Sequence, residues 1–236
     1  MDVFFPMAGQ GARFGHKFKP FLTIGGETFI EAAVQPFRKF ASEISRFVFV
    51  YLKAQEADFA VSRRLGEVFA GLPIEMVQLD VPTRGPAETI GRAVKHVGAP
   101  GPAFICDCDH SLDVEPLFEA AKRDGWDVLL PVWPLEHENL ASWSVAMVET
   151  DRVLAISEKQ QPAVRRGTPM GVIGCYGFRD LASIAARAEV LHATNFSEVI
   201  SQLLSEHASV RAARIERAVF FGDPERLEKA KTRGSL

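Results

Sequence analysis

The chain has 236 residues, of which 47% are hydrophobic and 24% are charged. This length fits one domain or at most two, and the composition excludes a disordered or fibrous protein. Twenty-seven Lys and Arg against 30 Asp and Glu give a formal net charge of −3, which argues against a strongly basic nucleic-acid-binding protein. Phe is unusually frequent: 18 of the aromatic residues are Phe, and 12 of these lie in the first 69 residues.

The first half of the sequence alternates apolar runs with segments of helical periodicity. Strands are predicted at Val3–Met7, Phe47–Leu52, Ile74–Leu79, Ala103–Cys106 and Val128–Val132, and helices at Phe29–Phe40, Glu56–Phe69, Ala87–Val97 and Val114–Arg123. The strands are continuously apolar, as in a parallel sheet that is covered on both faces. The alternation therefore predicts an α/β fold with right-handed crossovers.

The pattern changes after about residue 131. A hairpin, a further strand and two helices are predicted there, at Trp143–Glu149 with Val153–Ser157, at Val172–Phe178, and at Phe196–Glu206 and Pro224–Lys231. Asp223 before Pro224 is a good N-cap for the last helix. Because no linker or repeat interrupts the chain, we expect a single domain over residues 1–236, with helices on both faces of a mixed, mostly parallel sheet.

Targeting signals and cysteines bear on location. The sequence has no window of 18 apolar residues and no basic, apolar leader, so neither a transmembrane helix nor a signal peptide is expected. An odd number of cysteines, Cys106, Cys108 and Cys175, then indicates reduced thiols and a cytoplasmic location. Cys106 and Cys108 have the spacing of a metal pair, but no Cys–His cluster completes a zinc site, so small buried side chains are the preferred interpretation.

A basic glycine loop follows the first strand. Gly9 and Gly11 allow backbone N–H groups to approach an anion, and Arg13, Lys17 and Lys19 add positive charge, while residues 3–26 contain no acidic residue. A Rossmann fingerprint would need a third glycine, and a Walker A loop would end in Gly-Lys-Ser/Thr; neither is present. The loop thus predicts polyphosphate binding, and the alternative is a flexible loop with solvated charges.

The N-terminal motif resembles that of a known family. Met7-Ala8-Gly9-x-Gly11-x-Arg13-Phe14, Lys19-Pro20-Phe21, Ile24-x-Gly26 and Ile30-Glu31 resemble the signature of sugar-phosphate nucleotidyltransferases. The resemblance implies a Rossmann-like fold shared with GT-A-type glycosyltransferases. It also implies transfer of a nucleoside monophosphate from an NTP to a phosphorylated small molecule, with release of pyrophosphate, as in nucleotide-sugar or surface-polysaccharide biosynthesis. CTP or UTP is slightly favoured by analogy.

Later motifs follow the family's order, so the resemblance covers nearly the whole chain. It implies a nucleotide-binding half at about residues 1–130 and an acceptor-binding half at about 131–236. The triphosphate would lie on the loop, with Arg13 and Lys19 as catalytic cations, and Lys159 would meet the acceptor phosphate. The further residues implied are Ala8, Gly9, Gln10, Gly11, Ala12, Gly85, Pro86 and Ala87 for the nucleotide, and Glu158, Gly171 and Tyr176 for the acceptor. Lys159 has the alternative of a solvated lysine at a strand end.

Carboxylates after the fourth predicted strand point to a metal. The resemblance places the metal-binding aspartate at Asp109, and Asp107, two residues earlier on an extended strand, would point the same way. Asp107 has the alternative of orienting a neighbour. Many family members have a second metal aspartate near the C terminus, where this chain has Phe220-Phe221, so Asp223 is either that ligand or only a helix cap. The implied cofactor is Mg²⁺, with Mn²⁺ as the alternative.

Three functions remain open at this stage. The first is nucleotidyl transfer with an NTP and a phosphorylated acceptor as partners, without nucleic acid or membrane insertion, and compatible with a homodimer. The second is a GT-A-type glycosyltransferase, suggested by Asp107-x-Asp109, and the third is a regulatory relative that binds nucleotide without turnover. Candidate lining residues of an acceptor pocket are Trp133, Glu136, His137, Trp143 and Tyr176, although core packing explains the tryptophans equally well.

Overall fold

A computed structural model describes residues 1–136 and 138–233. Its strands are β1 (Asp2–Pro6), β2 (Thr23–Ile24), β3 (Glu27–Thr28), β4 (Arg46–Leu52), β5 (Ile74–Leu79), β6 (Ala103–Cys106), β7 (His110–Leu112), β8 (Val128–Pro134), β9 (Ser144–Glu149), β10 (Arg152–Glu158), β11 (Thr168–Val172), β12 (Cys175–Phe178), β13 (Val210–Arg214) and β14 (Ala218–Phe220). Its α-helices are α1 (Phe29–Val34), α2 (Lys53–Phe59), α3 (Val61–Val68), α4 (Pro86–Val97), α5 (Glu115–Ala121), α6 (Leu181–Val190), α7 (Phe196–Ser205) and α8 (Pro224–Arg233).

The central sheet is mixed. Its strand order is β11-β9-β10-β13-β8-β12-β6-β1-β4-β5. The neighbours β6, β1, β4 and β5 are parallel, as are β8 and β13, whereas β10, β11 and β12 run against their neighbours. Most strands therefore point the same way, as predicted, and the antiparallel strands come from the second half of the chain, where the sequence pattern changes.

Successive residues of β1 divide between the two faces of the sheet. Val3 and Phe5 join one buried cluster with residues of α1, α3 and α5, and Phe4 joins another with residues of α4, α6 and α7. This alternation follows from the two-residue period of a strand. Since both faces are covered, each strand residue needs an apolar side chain, which explains the continuous apolar runs.

Two predicted helices are interrupted. The segment at Phe29–Phe40 is α1 followed by a 3₁₀ helix at Gln35–Phe40, because Pro36 has no N–H for a continuing α-helix. The segment at Glu56–Phe69 is α2 and α3, which meet at Ala60 in a left-handed conformation with φ of 48°. Helix α6, which the sequence analysis missed, is rich in alanine and buries Leu181, Ile184, Ala185 and Ala188.

The predicted strand Val172–Phe178 is bent. Its first part, β11, pairs with β9 and β8, and its second part, β12, pairs with β6 and β8. Ile173 and Gly174 lie at the bend, beside the end of β6. The bend joins the hairpin of β9 and β10 to the parallel part of the sheet.

Parallel strands direct several candidate residues to one edge. β1, β4 and β6 all run in the same direction, so their carboxyl ends lie together. The basic loop follows β1, and Asp107 to Asp109 follow β6.

The three cysteines are buried and unpaired, as predicted. No helix in the described ranges has the length and apolar character needed to cross a membrane.

Candidate active site

The glycine loop folds back on itself after β1. Residues Ala12–Phe14 form a 3₁₀ turn, and the amides of Phe14 and His16 both donate to the carbonyl oxygen of Gly11. Gly11 has a φ of 62°, and a Cβ there would collide with the Lys17 carbonyl oxygen. Glycine is therefore required for this turn. Its neighbours Gly9, Gln10 and Ala12 are exposed, and Ala8 is buried.

Two aromatic residues anchor the loop. Phe14 packs edge-on against Phe29, the first residue of α1, with ring centroids 6.0 Å apart. Phe18 stacks on Phe59 of α2 at 5.3 Å and meets Phe21 at 4.8 Å. Part of the Phe excess near the N terminus thus holds the predicted phosphate loop against the neighbouring helices.

A buried glutamine connects the loop to β4. Gln55 Nε2 donates to the carbonyl oxygen of Gly9 at 3.0 Å, and its Oε1 accepts from the amide of Leu52 at 2.7 Å. Both side-chain ends are therefore used between two backbone segments. The role of Gln55 is not visible in the sequence, because its loop partner is 46 positions away.

Asp107 and Asp109 follow the end of β6 and do not lie on an extended strand. β6 ends at Cys106, and Cys108 and Asp109 form the turn that leads into β7. The prediction of two carboxylates on an extended strand is therefore wrong in its geometry. Nevertheless, both aspartates line the same cavity.

Lys19 crosses from the glycine loop to this turn. Its Nζ donates to Asp109 Oδ2 at 2.9 Å, and both side chains are about three-quarters buried, with 27% and 23% exposed. On the other side, His110 Nδ1 lies 3.2 Å from Asp109 Oδ1. Both carboxylate oxygens of Asp109 are thus oriented by a neighbouring side chain.

The two aspartates have opposite pKa shifts. Burial would raise the pKa of Asp109, but the charge of Lys19 and the His110 contact outweigh it and lower the pKa well below the usual range. Burial, together with the charge of Asp109, raises the pKa of Asp107 to about 6. Lys19 is also desolvated, yet the Asp109 charge raises its pKa. Asp109 is therefore the more acidic carboxyl of the pair.

Two glycines allow the carboxylates to pack closely. A Cβ on Gly174, at the bend between β11 and β12, would collide with Asp107 Oδ2, and a Cβ on Gly222 would lie 2.6 Å from Asp109 Oδ2. Backbone hydrogen bonds hold these segments together: the Asp107 amide donates to the Gly174 carbonyl oxygen at 2.7 Å, and the Phe221 amide donates to the Asp109 carbonyl oxygen at 3.0 Å. The positions of both carboxylates thus depend on the absence of a side chain at Gly174 and Gly222.

These elements enclose two adjoining cavities. The loop cavity, of about 340 Å³, is lined by the basic loop: Pro6, Met7, Gly9, Gly11, Ala12, Arg13, Phe14, Lys19, Pro20, Cys108 and Gly222. The carboxylate cavity, of about 190 Å³, is lined by Arg13, Pro86, Asp107, Asp109, His110, Ser142, Trp143, Ser144, Glu158, Val172, Ile173, Gly174, Tyr176, Asn195, Phe196, Phe220, Gly222, Asp223 and Arg226. Arg13 and Gly222 line both, so the two cavities meet there.

The first residue of α4, Pro86, lines the carboxylate cavity. The amide of Ala87 donates to the Thr194 carbonyl oxygen at 3.2 Å, and a Cβ on Gly85 would lie 2.5 Å from that same oxygen. Gly85 and Ala87 therefore hold the turn against the segment before α7. Gly85 and Ala87 position Pro86, and neither is among the described lining residues of the carboxylate cavity.

Predicted acceptor residues fall into two groups. Glu158 and Tyr176 line the carboxylate cavity, where Glu158 accepts from Ser144 Oγ at 2.5 Å and from Ser197 Oγ at 3.1 Å. Gly171 lies behind the cavity wall, and a Cβ there would lie 2.6 Å from the Trp143 ring. Lys159, with a φ of 56°, is exposed and is not among the described lining residues of either cavity.

Of the candidate pocket residues, Trp143 and Tyr176 line the carboxylate cavity. Trp133 lines a third, neighbouring cavity, and Glu136 is not among the described lining residues of any of the three. His137 lies outside the described residues. Trp143 is also packed against Phe220 with centroids 5.1 Å apart, so it serves both the core and the cavity wall.

Asp223 caps α8. Its Oδ1 accepts from the amide of Arg226 at 2.9 Å, and its Oδ2 lies 3.6 Å from Arg226 Nε. Asp223 nevertheless lines the carboxylate cavity with Asp107 and Asp109. The predicted cap is confirmed, and a role as metal ligand stays a prediction.

The donor set fits a magnesium ion that keeps other ligands. Within the described ranges no group of three or more His, Cys, Asp or Glu side chains could hold a metal by itself. However, Mg²⁺ in proteins is usually held by one or two carboxylates together with water and substrate phosphates. Asp109 and Asp107, which both line the carboxylate cavity, match this requirement.

A scan of protein families identifies this architecture. Residues 6–170 match the MobA-like NTP transferase domain. The chain therefore belongs to the MobA-like NTP transferase family, and the predicted class of enzyme, a nucleotidyltransferase, is confirmed. The sequence matches no curated protein sequence.

Solved structures share the fold over nearly the whole chain. The nucleoside-diphosphate-sugar pyrophosphorylase from Vibrio cholerae RC9 has a TM-score of 0.76 at 19% identity, with 98% of this chain and 99% of that chain covered. The inositol-1-phosphate CTP transferase from T. maritima has a TM-score of 0.76 at 13% identity, with 100% and 97% covered. The UTP-bound UGPase from Acinetobacter baumannii has a TM-score of 0.75 at 16% identity, with 98% and 92% covered. This likeness confirms the predicted Rossmann-like nucleotidyltransferase fold.

Proposed function

We propose that the protein transfers a nucleoside monophosphate from an NTP to a phosphorylated small molecule and releases pyrophosphate. The observation that carries the proposal is the junction of the loop cavity and the carboxylate cavity at Arg13 and Gly222. One cavity offers a basic glycine loop suited to a triphosphate, and the other offers carboxylates and an aromatic wall suited to a second substrate. A reaction between two bound substrates would take place where the cavities meet.

On the nucleotide side, the backbone of residues 8–12 and Arg13 would bind the triphosphate. The nucleotide would cross the junction of the two cavities, so that its base would contact Pro86 at the wall of the carboxylate cavity. Arg13 is exposed and points into both cavities. Lys19 is held by Asp109, so it would serve the triphosphate while keeping the carboxylate in place. The nucleotide-binding half would be residues 1–130, and CTP or UTP is the proposed donor.

On the acceptor side, Glu158 and Tyr176 line the cavity from residues 131–236, which would be the acceptor-binding half. An acceptor phosphate oxygen would attack the α-phosphorus of the NTP, forming a P–O–P bond while the bond to pyrophosphate breaks. A phosphate dianion is already ionised near neutral pH, so no protein nucleophile is required. The protein would act by positioning the substrates and neutralising charge.

Asp109, assisted by Asp107, would hold Mg²⁺. When bound there, the ion would supply charge neutralisation at the phosphates of the donor. The ionised state of Asp109, maintained by Lys19 and His110, supports this assignment. Mn²⁺ is the alternative ion.

A pyrophosphate-release screen tests the proposal. Each of the four NTPs is incubated with Mg²⁺ and a panel of sugar 1-phosphates and other phosphate monoesters, and pyrophosphate is measured. Release that requires both one NTP and one acceptor supports the proposal. A nucleoside diphosphate formed from a nucleotide sugar would instead identify a glycosyltransferase, and nucleotide binding without pyrophosphate across the panel would identify a regulatory protein.

A further inference from the structure

Arg226 occupies an unusual place at the edge of the carboxylate cavity. It lies in the first turn of α8 and also lines a third cavity of about 370 Å³, here called the outer cavity. Ser142, Phe220 and Asp223 line both cavities with it. Arg226 therefore stands at the boundary between the predicted acceptor site and the space beyond it.

The guanidinium of Arg226 lies over two aromatic rings and forms ion pairs with two carboxylates. It lies 5.0 Å from the ring centre of Trp143 and 5.7 Å from that of Phe220. Its Nη2 pairs with Glu138 Oε2 and its Nε pairs with Asp223 Oδ2, and both separations of 3.6 Å are longer than a hydrogen bond. The side-chain N–H groups of Arg226 make no hydrogen bond to any described residue, although only 25% of the side chain is exposed.

Such an arrangement leaves N–H donors of Arg226 available for a ligand. A guanidinium carries five N–H donors, and neither contact with aromatic rings nor ion pairs at 3.6 Å use them in hydrogen bonds. Trp143 is itself fixed, because its Nε1 donates to Glu138 Oε2 at 3.2 Å. Arg46 gives the contrast within this chain: its guanidinium donates to Asp2, Glu75 and two backbone carbonyls, and is fully engaged.

The charge of the carboxylate cavity indicates what the N–H donors of Arg226 would bind. Four carboxylates line it, on Asp107, Asp109, Glu158 and Asp223, against the guanidiniums of Arg13 and Arg226 among its described residues. A phosphate monoester entering this cavity meets repulsion unless a cation receives it. Arg13 is shared with the loop cavity, whereas Arg226 is shared with the outer cavity.

We propose that Arg226 binds the phosphate group of the acceptor, through charge-assisted hydrogen bonds from its guanidinium. The proposal deepens the proposed function and rests on it for the identity of the second substrate as a phosphate monoester. It assigns to α8 the contact that the sequence analysis gave to Lys159. That lysine is exposed, whereas Arg226 faces the cavity.

Binding of inorganic phosphate, the smallest probe of such a site, tests the proposal without turnover. The titration is followed by tryptophan fluorescence, and the part that disappears in Trp143→Phe reports the Arg226 site rather than the glycine loop. The wild-type protein should give this signal, and Arg226→Met should weaken it about tenfold or more, because a charge-assisted bond is lost. Methionine retains much of the apolar stem, and Arg226→Lys should restore part of the affinity.

Two controls accompany the titration. Arg63→Met removes an exposed arginine on α3, and Lys159→Met removes the alternative cation; both should leave the Trp143 signal unchanged. Unfolding curves of Arg226→Met and the wild-type protein show whether the fold is retained. If Arg226→Met is unfolded, Arg226→Lys and Arg226→Gln provide the same comparison.

The proposal is overturned if the wild-type protein gives no Trp143-dependent phosphate signal, if folded Arg226→Met or Arg226→Gln binds phosphate like the wild type, or if Lys159→Met loses the signal. The pyrophosphate screen tests nucleotidyl transfer independently of the phosphate titration, so a failure of the proposed function is distinguished from a failure of the Arg226 proposal. Where that screen is positive, Arg226→Met should raise the KM for the acceptor about tenfold or more and leave the KM for the NTP within about twofold.

Discussion

Lys19 Nζ donates a 2.9 Å hydrogen bond to Asp109 Oδ2 and so connects the glycine loop after β1 to the turn after β6. The two residues are 90 positions apart, and each belongs to a different candidate function, one at phosphates and one at a metal. Their contact means that the cation of the loop also fixes the anion of the turn. Changes at either residue should therefore affect both substrates.

Replacing Lys19 by alanine should lower the rate of pyrophosphate release by orders of magnitude without unfolding the protein. The variant removes a cation from the loop and leaves the partly buried Asp109 without its main partner. Lys17→Ala, in the same loop but exposed, is the matched control and should have a much smaller effect. Near-normal turnover of Lys19→Ala would refute the role assigned to this residue.

Adding one methyl group at Gly222 or Gly174 should disable the site. A Cβ at either position presses on the carboxylate of Asp109 or Asp107, and a displacement of about 1 Å in an active site costs about 100-fold in rate. Gly66→Ala on α3 is the control, since a Cβ there meets no atom within 4 Å. Initial rates and unfolding midpoints of the three variants check the prediction. Full activity in Gly222→Ala would show that Asp109 tolerates displacement.

Gln55→Met should raise the KM for the NTP. The substitution leaves the Leu52 amide and the Gly9 carbonyl without their side-chain partner, and an unsatisfied buried group costs about 1–3 kcal/mol. The loop is then less firmly held, so nucleotide binding weakens. Gln35→Met, at an exposed glutamine, should change neither stability nor KM. An unchanged KM for the NTP in Gln55→Met would show that the loop holds its shape without this connection.

The first turn of α4 should make the stability of the folded protein depend on pH in the acid range. Hydrogen bonds from Arg84 and the ion pair with Arg92 lower the pKa of Glu88 to about 2 from a reference of 4.5. A carboxyl whose pKa is depressed by folding stabilises the protein above pH 4.5, and this contribution is lost as the pH falls through about 2. Glu88→Gln should therefore be less stable than the wild type at pH 7, and the difference should shrink towards pH 2.

Thermal unfolding at a series of pH values measures this difference. Glu67→Gln, whose side chain is exposed and 3.6 Å from Arg63, is the control and should follow the wild-type curve. A constant offset between Glu88→Gln and the wild type from pH 7 to pH 2 would contradict the assigned pKa.

Much of the fold was predictable because it is encoded locally. The apolar runs of β1, β4, β5, β6 and β8 reveal buried strands, and the glycines and basic residues after β1 reveal the loop. The sequence did not reveal α6, whose apolar face consists largely of small residues, or the bend at Gly174. Both depend on packing between distant segments.

The site was predictable in its residue types more than in its contacts. Asp109, Arg13 and Tyr176 line the cavities where the motifs implied. The connection through Gln55, the orientation of Asp109 by His110 and the position of Arg226 depend on residues brought together by the sheet. Spacing along the chain cannot show such contacts, because each partner lies on a different element or in a turn of unforeseen geometry.

The central claim is that an acceptor phosphate oxygen attacks the α-phosphorus of an NTP. An acceptor with ¹⁸O in its phosphate group tests it directly, when the product is examined by ³¹P NMR and mass spectrometry. We expect one pyrophosphate per product molecule and ¹⁸O in the new bridge between the two phosphorus atoms. Unlabelled bridging oxygen, or release of a nucleoside diphosphate in place of pyrophosphate, would contradict it.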